Sequence, residues 1–210
     1  MLVYIMVNSA KIRKAYDKIA GIYDPILRGC RYHGNIKDIL SGVYFRFNGH
    51  IRMLDIGCGT GLASEVMRGR FENCEIVGFD YSQNMLARYA QRFPFAKAVV
   101  GDFNRSGSLE RVGKFDVVIS AGAVSEYGEK GKAVKNIYDV LNDNGVFIDI
   151  GNRRNAFSLL TGLIWHYWPM GKKRLVKECF DVGFHYVEDL RISWKNMPSK
   201  ITRYAIRAVK

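Results

Sequence analysis

Several features are scarce or missing in this 210-residue sequence. No apolar run approaches the roughly 20 residues of a bilayer-spanning helix, which excludes that kind of membrane segment. There is no internal repeat, no low-complexity tract and no Pro/Ser-rich linker, so a single domain is the simplest organisation. Cysteine is sparse. Cys30, Cys58, Cys74 and Cys179 never form a CxxC pair, and Cys30 with His33 makes only half of a metal site. That argues against zinc and against a disulfide framework. Each thiol is expected to be a small buried hydrophobe in a reducing, cytoplasmic compartment. The apolar Met1–Val7 lacks the basic start and small-residue cleavage site of a secretion signal. It fits a strand, a disordered lead, or an upstream start with Met6 as the true initiator.

Acidic residues are also in deficit. Twenty Asp and Glu face 32 Lys and Arg, for a formal net charge of +12. Residues 1–52 hold nine basic and three acidic side chains, residues 53–150 eleven and thirteen, and residues 151–210 twelve and four. The excess therefore lies in the flanks. Such a field suits anionic partners, whether RNA, phosphorylated metabolites or a peripheral membrane contact, and it equally suits a merely solvated surface.

What is present is a folded composition, 48% hydrophobic and 25% charged. The first fifty residues are helical in pattern, with Tyr16, Ile19, Ile22 and Tyr23 near one face. From Ile51, short Val/Ile-rich runs at Arg52–Ile56, Glu75–Phe79, Ala96–Val100, Phe115–Ser120 and Gly145–Ile150 read as buried strands. Helices are expected at Leu62–Arg70, Gln83–Gln91 and Lys132–Leu141, with Ser82 as an N-cap. The alternation predicts an α/β fold, a doubly wound parallel sheet with helices on both faces. Gly151–Gly171 reads as irregular and Arg174–Val182 as a helix. Phe184–Trp194 and Ile201–Val209 are too closely joined to pair other than antiparallel.

The densest motif is Met53-Leu-Asp-Ile-Gly-Cys-Gly-Thr-Gly-Leu-Ala-Ser64, placed between a strand and a helix. Glycines at 57, 59 and 61 permit close approach of a ligand to main chain. The spacing departs from GxGxxG, since Leu62 occupies the last glycine position, and the absence of GK[ST] excludes a P-loop. Asp55 beside the loop would repel a pyrophosphate but suits an ammonium group. Asp80 ends the next strand, about 20 residues on, where a carboxylate can accept from ribose hydroxyls, and Asp102 ends the third.

These residues resemble the class I, Rossmann-like S-adenosylmethionine-dependent methyltransferases. LDIGCGTG at 54–61, FDYSQNML at 79–86, GDF at 101–103, FDVVISAGAV at 115–124 and LNDNGVFI at 141–148 are similar to successive motifs of that family. YDKIAGIYD at 16–24 is similar to the opening of its ubiquinone/menaquinone and small-molecule or lipid branch. The resemblance implies S-adenosylmethionine as cofactor, with S-adenosylhomocysteine as product. It places the backbone around Gly57 and Gly59 at the methionine end, with Asp55 supporting the loop and the amino group and Asp80 at the ribose diol, and it adds Cys58, Gly61 and Tyr81 to the cofactor-binding set. Asp102, Phe103 and Met85 fall at the adenine, the last two being equally explicable as core. Ser120 and Tyr16 complete the cofactor set.

For chemistry the resemblance points to Glu126, His166 and Tyr23, with no metal. Glu126 and Tyr127 could instead be a surface turn. Tyr16 and Tyr23 could hold a sulfonium by cation–π attraction or simply pack an amphipathic helix. The cluster Ile164-Trp-His-Tyr-Trp-Pro-Met170 could be an aromatic lid, a membrane-touching patch or a local hydrophobic cluster. Arg153, Arg154 and Lys172–Arg174 could pair with a phosphate or carboxylate of the acceptor or remain solvated. Residues 1–50 are thus expected to cap the substrate side and 51–210 to form the core, with 151–173 as a lid insertion. The absence of [DN]PP[YF] and of a Pro-Cys pair disfavours DNA as substrate. A small-molecule acceptor, apolar or amphipathic with an anionic group, fits best. RNA methylation and non-catalytic cofactor binding are the alternatives, and no oligomeric state can be read.

Overall fold

The structure, a computed structural model, describes residues 9–29, 31–47, 49–129, 131–165 and 167–210. Met1–Val7, Cys30 and His166, all of which carried expectations, lie outside the described residues.

Seven strands form one sheet: β1 (Ile51–Ile56), β2 (Cys74–Asp80), β3 (Lys97–Val100), β4 (Phe115–Ala121), β5 (Leu141–Asn152), β6 (Tyr186–Asp189) and β7 (Arg203–Val209). The spatial order is β3-β2-β1-β4-β5-β7-β6. The first five are parallel, and β7 runs antiparallel between β5 and β6. This is the expected architecture. The reversal of strand order beside β1 makes the tips of β1 and β4 a topological switch point, where open α/β sheets hold ligands.

The near-continuous hydrophobicity of the strands has a direct cause, because both sheet faces are covered. In β1, Leu54 and Ile56 enter one core with Phe79, Val118 and Phe147. Ile51 and Met53 enter the other with Ile76, Val117 and Ile148. The second core also takes Ile36, Ile39 and Leu40 from the N-terminal helices.

Those helices are α1 (Ser9–Ile19), α2 (Tyr23–Gly29) and α3 (Tyr32–Gly42). Tyr16 and Tyr23 thus lie on two helices separated by a turn, not on one amphipathic face, and Ile22 is exposed. The rings still meet, 5.9 Å apart and edge to face. After β1 come α4 (Leu62–Arg68), α5 (Gln83–Arg92), the short α6 (Val124–Tyr127) and α7 (Ala133–Val140). Ser82 caps α5 as expected, its hydroxyl accepting from the Met85 amide at 3.2 Å.

One segment departs from its expected form. Within Gly151–Gly171, residues Ala156–Trp165 form helix α8. Large apolar side chains on every turn hid the 3.6-residue period there. The remaining helices are α9 (Lys172–Val182) and the one-turn α10 (Ser199–Thr202).

Candidate active site

The carboxyl ends of β1, β2 and β4 and the segment after β3 open into one cleft of about 840 Å³, solvent at its mouth included. Its walls include Gly57 and Gly59, Asp80 and Tyr81, Gly101–Asn104 and Ala121–Ala123. Met85 on α5, Tyr127 on α6, and Tyr16 and Tyr23 from the N-terminal helices also line it. Gly57, Gly59, Asp80, Tyr81, Met85, Asp102, Phe103, Tyr16 and Tyr23 were all expected from sequence, and the fold brings them together.

The glycine loop is tied to β2 by its own amides. Gly57 and Cys58 both donate to the Phe79 carbonyl, at 2.7 and 3.2 Å, and Gly59 donates to Asp80 Oδ2 at 2.9 Å. The loop therefore offers a ligand its Cα surface rather than free N–H groups. Gly57 has φ +64°, and a Cβ there would stand 2.3 Å from the Ala123 Cβ. Only glycine fits both demands.

Asp80 also accepts from the Ser82 amide at 2.9 Å. Main-chain donors thus fix both oxygens of this carboxylate. Burial raises its pKa, an effect opposed by those amides. Asp102 accepts from the Asn104 amide at 2.9 Å, which sets its orientation beside Phe103.

Four expected residues stand behind the wall. Asp55 is 1% exposed and accepts from the Ser64 amide (3.2 Å) and hydroxyl (2.7 Å) at the start of α4. It braces the loop from beneath, and burial pushes its pKa to about 6. The Cys58 side chain packs with Leu86, Tyr89 and Phe93. Gly61 faces the Phe93 ring, where a Cβ would stand at 2.2 Å. Ser120 is fully buried, its hydroxyl accepting from the Val124 amide at 2.9 Å. Ala121–Ala123 occupy the wall in its place. Gly101 and Asn104, missed from sequence, follow from the neighbouring Asp102. Glu129, also missed, carried no signal.

The N-terminal helices close one side of the cleft through specific ties. Ser82 Oγ donates to Asp17 Oδ1 at 2.5 Å, and the Thr60 hydroxyl donates to Asp24. The Tyr16 and Tyr127 hydroxyls lie 3.1 Å apart, and burial raises both of their pKa values. A ring of aromatic faces results, with Tyr127 also 5.7 Å from Tyr167.

Glu126 is 8% exposed, so Glu126 and Tyr127 are not a surface turn. Its carboxyl accepts from Asn152 Nδ2. Burial raises its pKa to about 8, against the lowering influence of Arg203. Lys172 and Arg174, expected as candidate anion contacts, pair with Asp189 at 2.6 Å and Glu178 at 2.8 Å. No group of three or more metal-ligating side chains occurs among the described residues.

Residues 54–147 match the family model described as "Methyltransferase domain". Over that span the chain is similar to a methyltransferase domain. It is 24% identical over 145 residues to the malonyl-[acyl-carrier protein] O-methyltransferase of Bacillus anthracis, covering 68% of this chain and 53% of that one. It also matches a non-reducing polyketide synthase of Stachybotrys chartarum at 20% identity over 82% of its own length, spanning 7% of that protein. The chain thus spans about half or less of these two curated relatives. Among solved structures, it resembles an S-adenosylmethionine-dependent methyltransferase from Thermotoga maritima. The TM-score is 0.72 at 13% identity, covering 95% of this chain and 99% of that one. It also resembles phosphoethanolamine N-methyltransferase 2 of Haemonchus contortus, with TM-score 0.65, 16% identity, and coverage of 84% and 52%.

The Haemonchus contortus structure is a complex with S-adenosyl-L-methionine. The cleft fits that group on its own terms. It pairs the Asp80 carboxylate with apolar walls at Met85 and Phe103.

Proposed function

We propose that the protein transfers a methyl group from S-adenosylmethionine to a small-molecule acceptor by in-line displacement. The observation that carries this reading is the convergence of Gly57, Gly59, Asp80 and Asp102 from three successive strands on one cleft. Bound there, S-adenosylmethionine supplies a methyl group already activated by its sulfonium. The chain's own task is alignment and the exclusion of water.

In this reading Asp80 accepts from the ribose hydroxyls, Asp102 from the adenine amino group, and Met85 and Phe103 flank the ring. Tyr16, Tyr23 and Tyr127 present ring faces and edges that suit a cation beside them. Residues 9–42 act as a cap, held by Asp17 and Asp24. The 151–173 segment acts as a lid. Its Met170 amide donates to the Ser125 carbonyl at 2.8 Å, and its Tyr167 ring lies 5.7 Å from that of Tyr127 on the cleft wall. Glu126 flanks the acceptor side. One of its oxygens lies 3.3 Å from where a Gly122 Cβ would stand. With its pKa raised to about 8 this carboxyl is mostly protonated at neutral pH, and its deprotonated form, which grows in above that, can accept the proton that an acceptor N–H or O–H must lose. The acceptor is apolar or amphipathic, with an anionic group.

Calorimetry with S-adenosylmethionine and S-adenosylhomocysteine tests the cofactor assignment. Wild type should bind both. Asp80→Ala, which removes charge-assisted hydrogen bonds worth ~1.5–3 kcal/mol each, should bind at least tenfold more weakly. Folded wild type that binds neither would overturn it. A labelled methyl donor offered with a metabolite pool and, separately, with RNA then identifies the acceptor class. Label appearing only in RNA would refute the small-molecule assignment.

A further inference from the structure

Beyond the cofactor cleft, on the far side of Gly122, lies a cluster of polar groups whose bonding is incomplete. Arg203 begins β7 and pairs in register with Asn152, the last residue of β5. It therefore stands at the carboxyl end of β5, on the sheet edge that carries the cleft. Its guanidinium lies 3.8 Å above the Tyr32 ring of α3. Its Nη1 is buried with no hydrogen-bond partner. The Tyr32 hydroxyl is buried and likewise lacks one, in a residue only 5% exposed. That hydroxyl stands 3.4 Å from where a Gly122 Cβ would be, and Gly122 itself lines the cleft.

A buried guanidinium nitrogen with nothing to donate to is costly, and folds rarely retain one without a use. Guanidinium has five donors and no acceptor, so what completes it must bring lone pairs. The charge favours an anion, and the planar fork matches the two oxygens of a carboxylate or phosphate. A tyrosine hydroxyl beside it can donate to the same group. Glu126 stands close enough to Arg203 for each to perturb the other's ionisation. Burial holds Glu126 protonated at neutral pH, so it adds little repulsion there. Tyr23 on the cleft wall is near enough to Tyr32, Glu126 and Arg203 for all three to influence its hydroxyl. The cluster and the cleft are therefore neighbours.

We propose that the acceptor carries an oxyanion, a carboxylate or a phosphate, that seats against Arg203 Nη1 and the Tyr32 hydroxyl and places the reacting atom against the Gly122 wall. This rests on the methyltransferase reading and specifies its substrate class. It also moves the anion contact from the basic residues flanking α8 to one partly buried arginine whose Nη1 is enclosed.

The test loads wild type, Arg203→Gln and the exposed Arg191→Gln with S-adenosylhomocysteine. Each is then titrated calorimetrically with acetate and with inorganic phosphate at constant ionic strength. Saturable binding of one probe to wild type is expected, at least tenfold weaker in Arg203→Gln and unchanged in Arg191→Gln. Preference for acetate assigns a carboxylate acceptor, and preference for phosphate a phosphorylated one. S-adenosylhomocysteine affinity should be the same in all three proteins. Its loss in wild type would instead sink the methyltransferase reading. In anion-free buffer the Arg203→Gln melting temperature should stay close to that of wild type, because the loss of a buried Nη1 without an acceptor offsets the loss of the contact with the Tyr32 ring. A marked fall in that temperature, equal titrations for Arg203→Gln and wild type, or no saturable binding of either probe would overturn the proposal.

Discussion

Glu126 should make the folded protein weaker as the solution becomes more alkaline. In the unfolded chain its carboxyl titrates near 4.5, whereas burial raises it to about 8 in the native state. Between these values the native protein keeps a proton that the unfolded chain has released, so stability falls as pH rises. The favourable contribution is complete below about pH 4.5 and is lost on passing through about pH 8. At ~1.4 kcal/mol per pH unit, the stretch from pH 4.5 to 7 costs about 3 kcal/mol. Glu126→Gln keeps shape and can still accept from Asn152, but it has no proton to lose. Urea unfolding of both proteins from pH 5 to 8 measures the difference. Glu126→Gln should gain on wild type by about 3 kcal/mol across that range. Some pH dependence will persist in the variant, because burial also lifts Asp149 to about 7 and Asp55 to about 6. Parallel curves, separated by a constant offset within about 0.5 kcal/mol, would refute the burial argument and with it the poised state of this carboxyl.

Other outcomes follow from the same geometry. Gly57→Ala, meeting Ala123 at a positive φ, should lose about 2–4 kcal/mol of stability by thermal melting. Gly57→Ala with Ala123→Gly should recover only part of that, since the clash goes but the backbone strain stays. Ser82→Ala removes both the α5 cap and the tie to Asp17. It should cost about 1–2 kcal/mol and speed hydrogen exchange in α1. Cys58, Cys74 and Cys179 are buried, with thiol pKa values raised by burial. They should resist a thiol-specific reagent in native protein and react promptly in denaturant.

The sheet was legible because each strand is covered on both faces, and that need writes an unbroken apolar run. Its C-terminal pair was legible from the shortness of the Lys195–Lys200 connection. Helix α8 was not, because a segment apolar all round has no polar face to betray its period. In the site, the acids at strand ends were visible by position alone. Whether each faces ligand or core was not. Asp80 and Asp102 line the cleft while Asp55 turns under the loop to Ser64, and a local donor at the start of α4 decides that. Arg203 was hidden for a different reason. One arginine among 32 basic residues carries no mark of burial, and its proximity to Tyr32 joins positions 171 residues apart.

The placement of β7 between β5 and β6 has a consequence for synthesis. Of these seven strands, the last in chain order is an interior plank of the sheet, not its rim. Until Arg203–Val209 emerges, β5 presents a bare edge that carries Val146, Phe147, Ile148 and Ile150, and β6 has nothing to join. A nascent chain stalled just before Arg203 would hold a nearly finished cleft beside an aggregation-prone ledge.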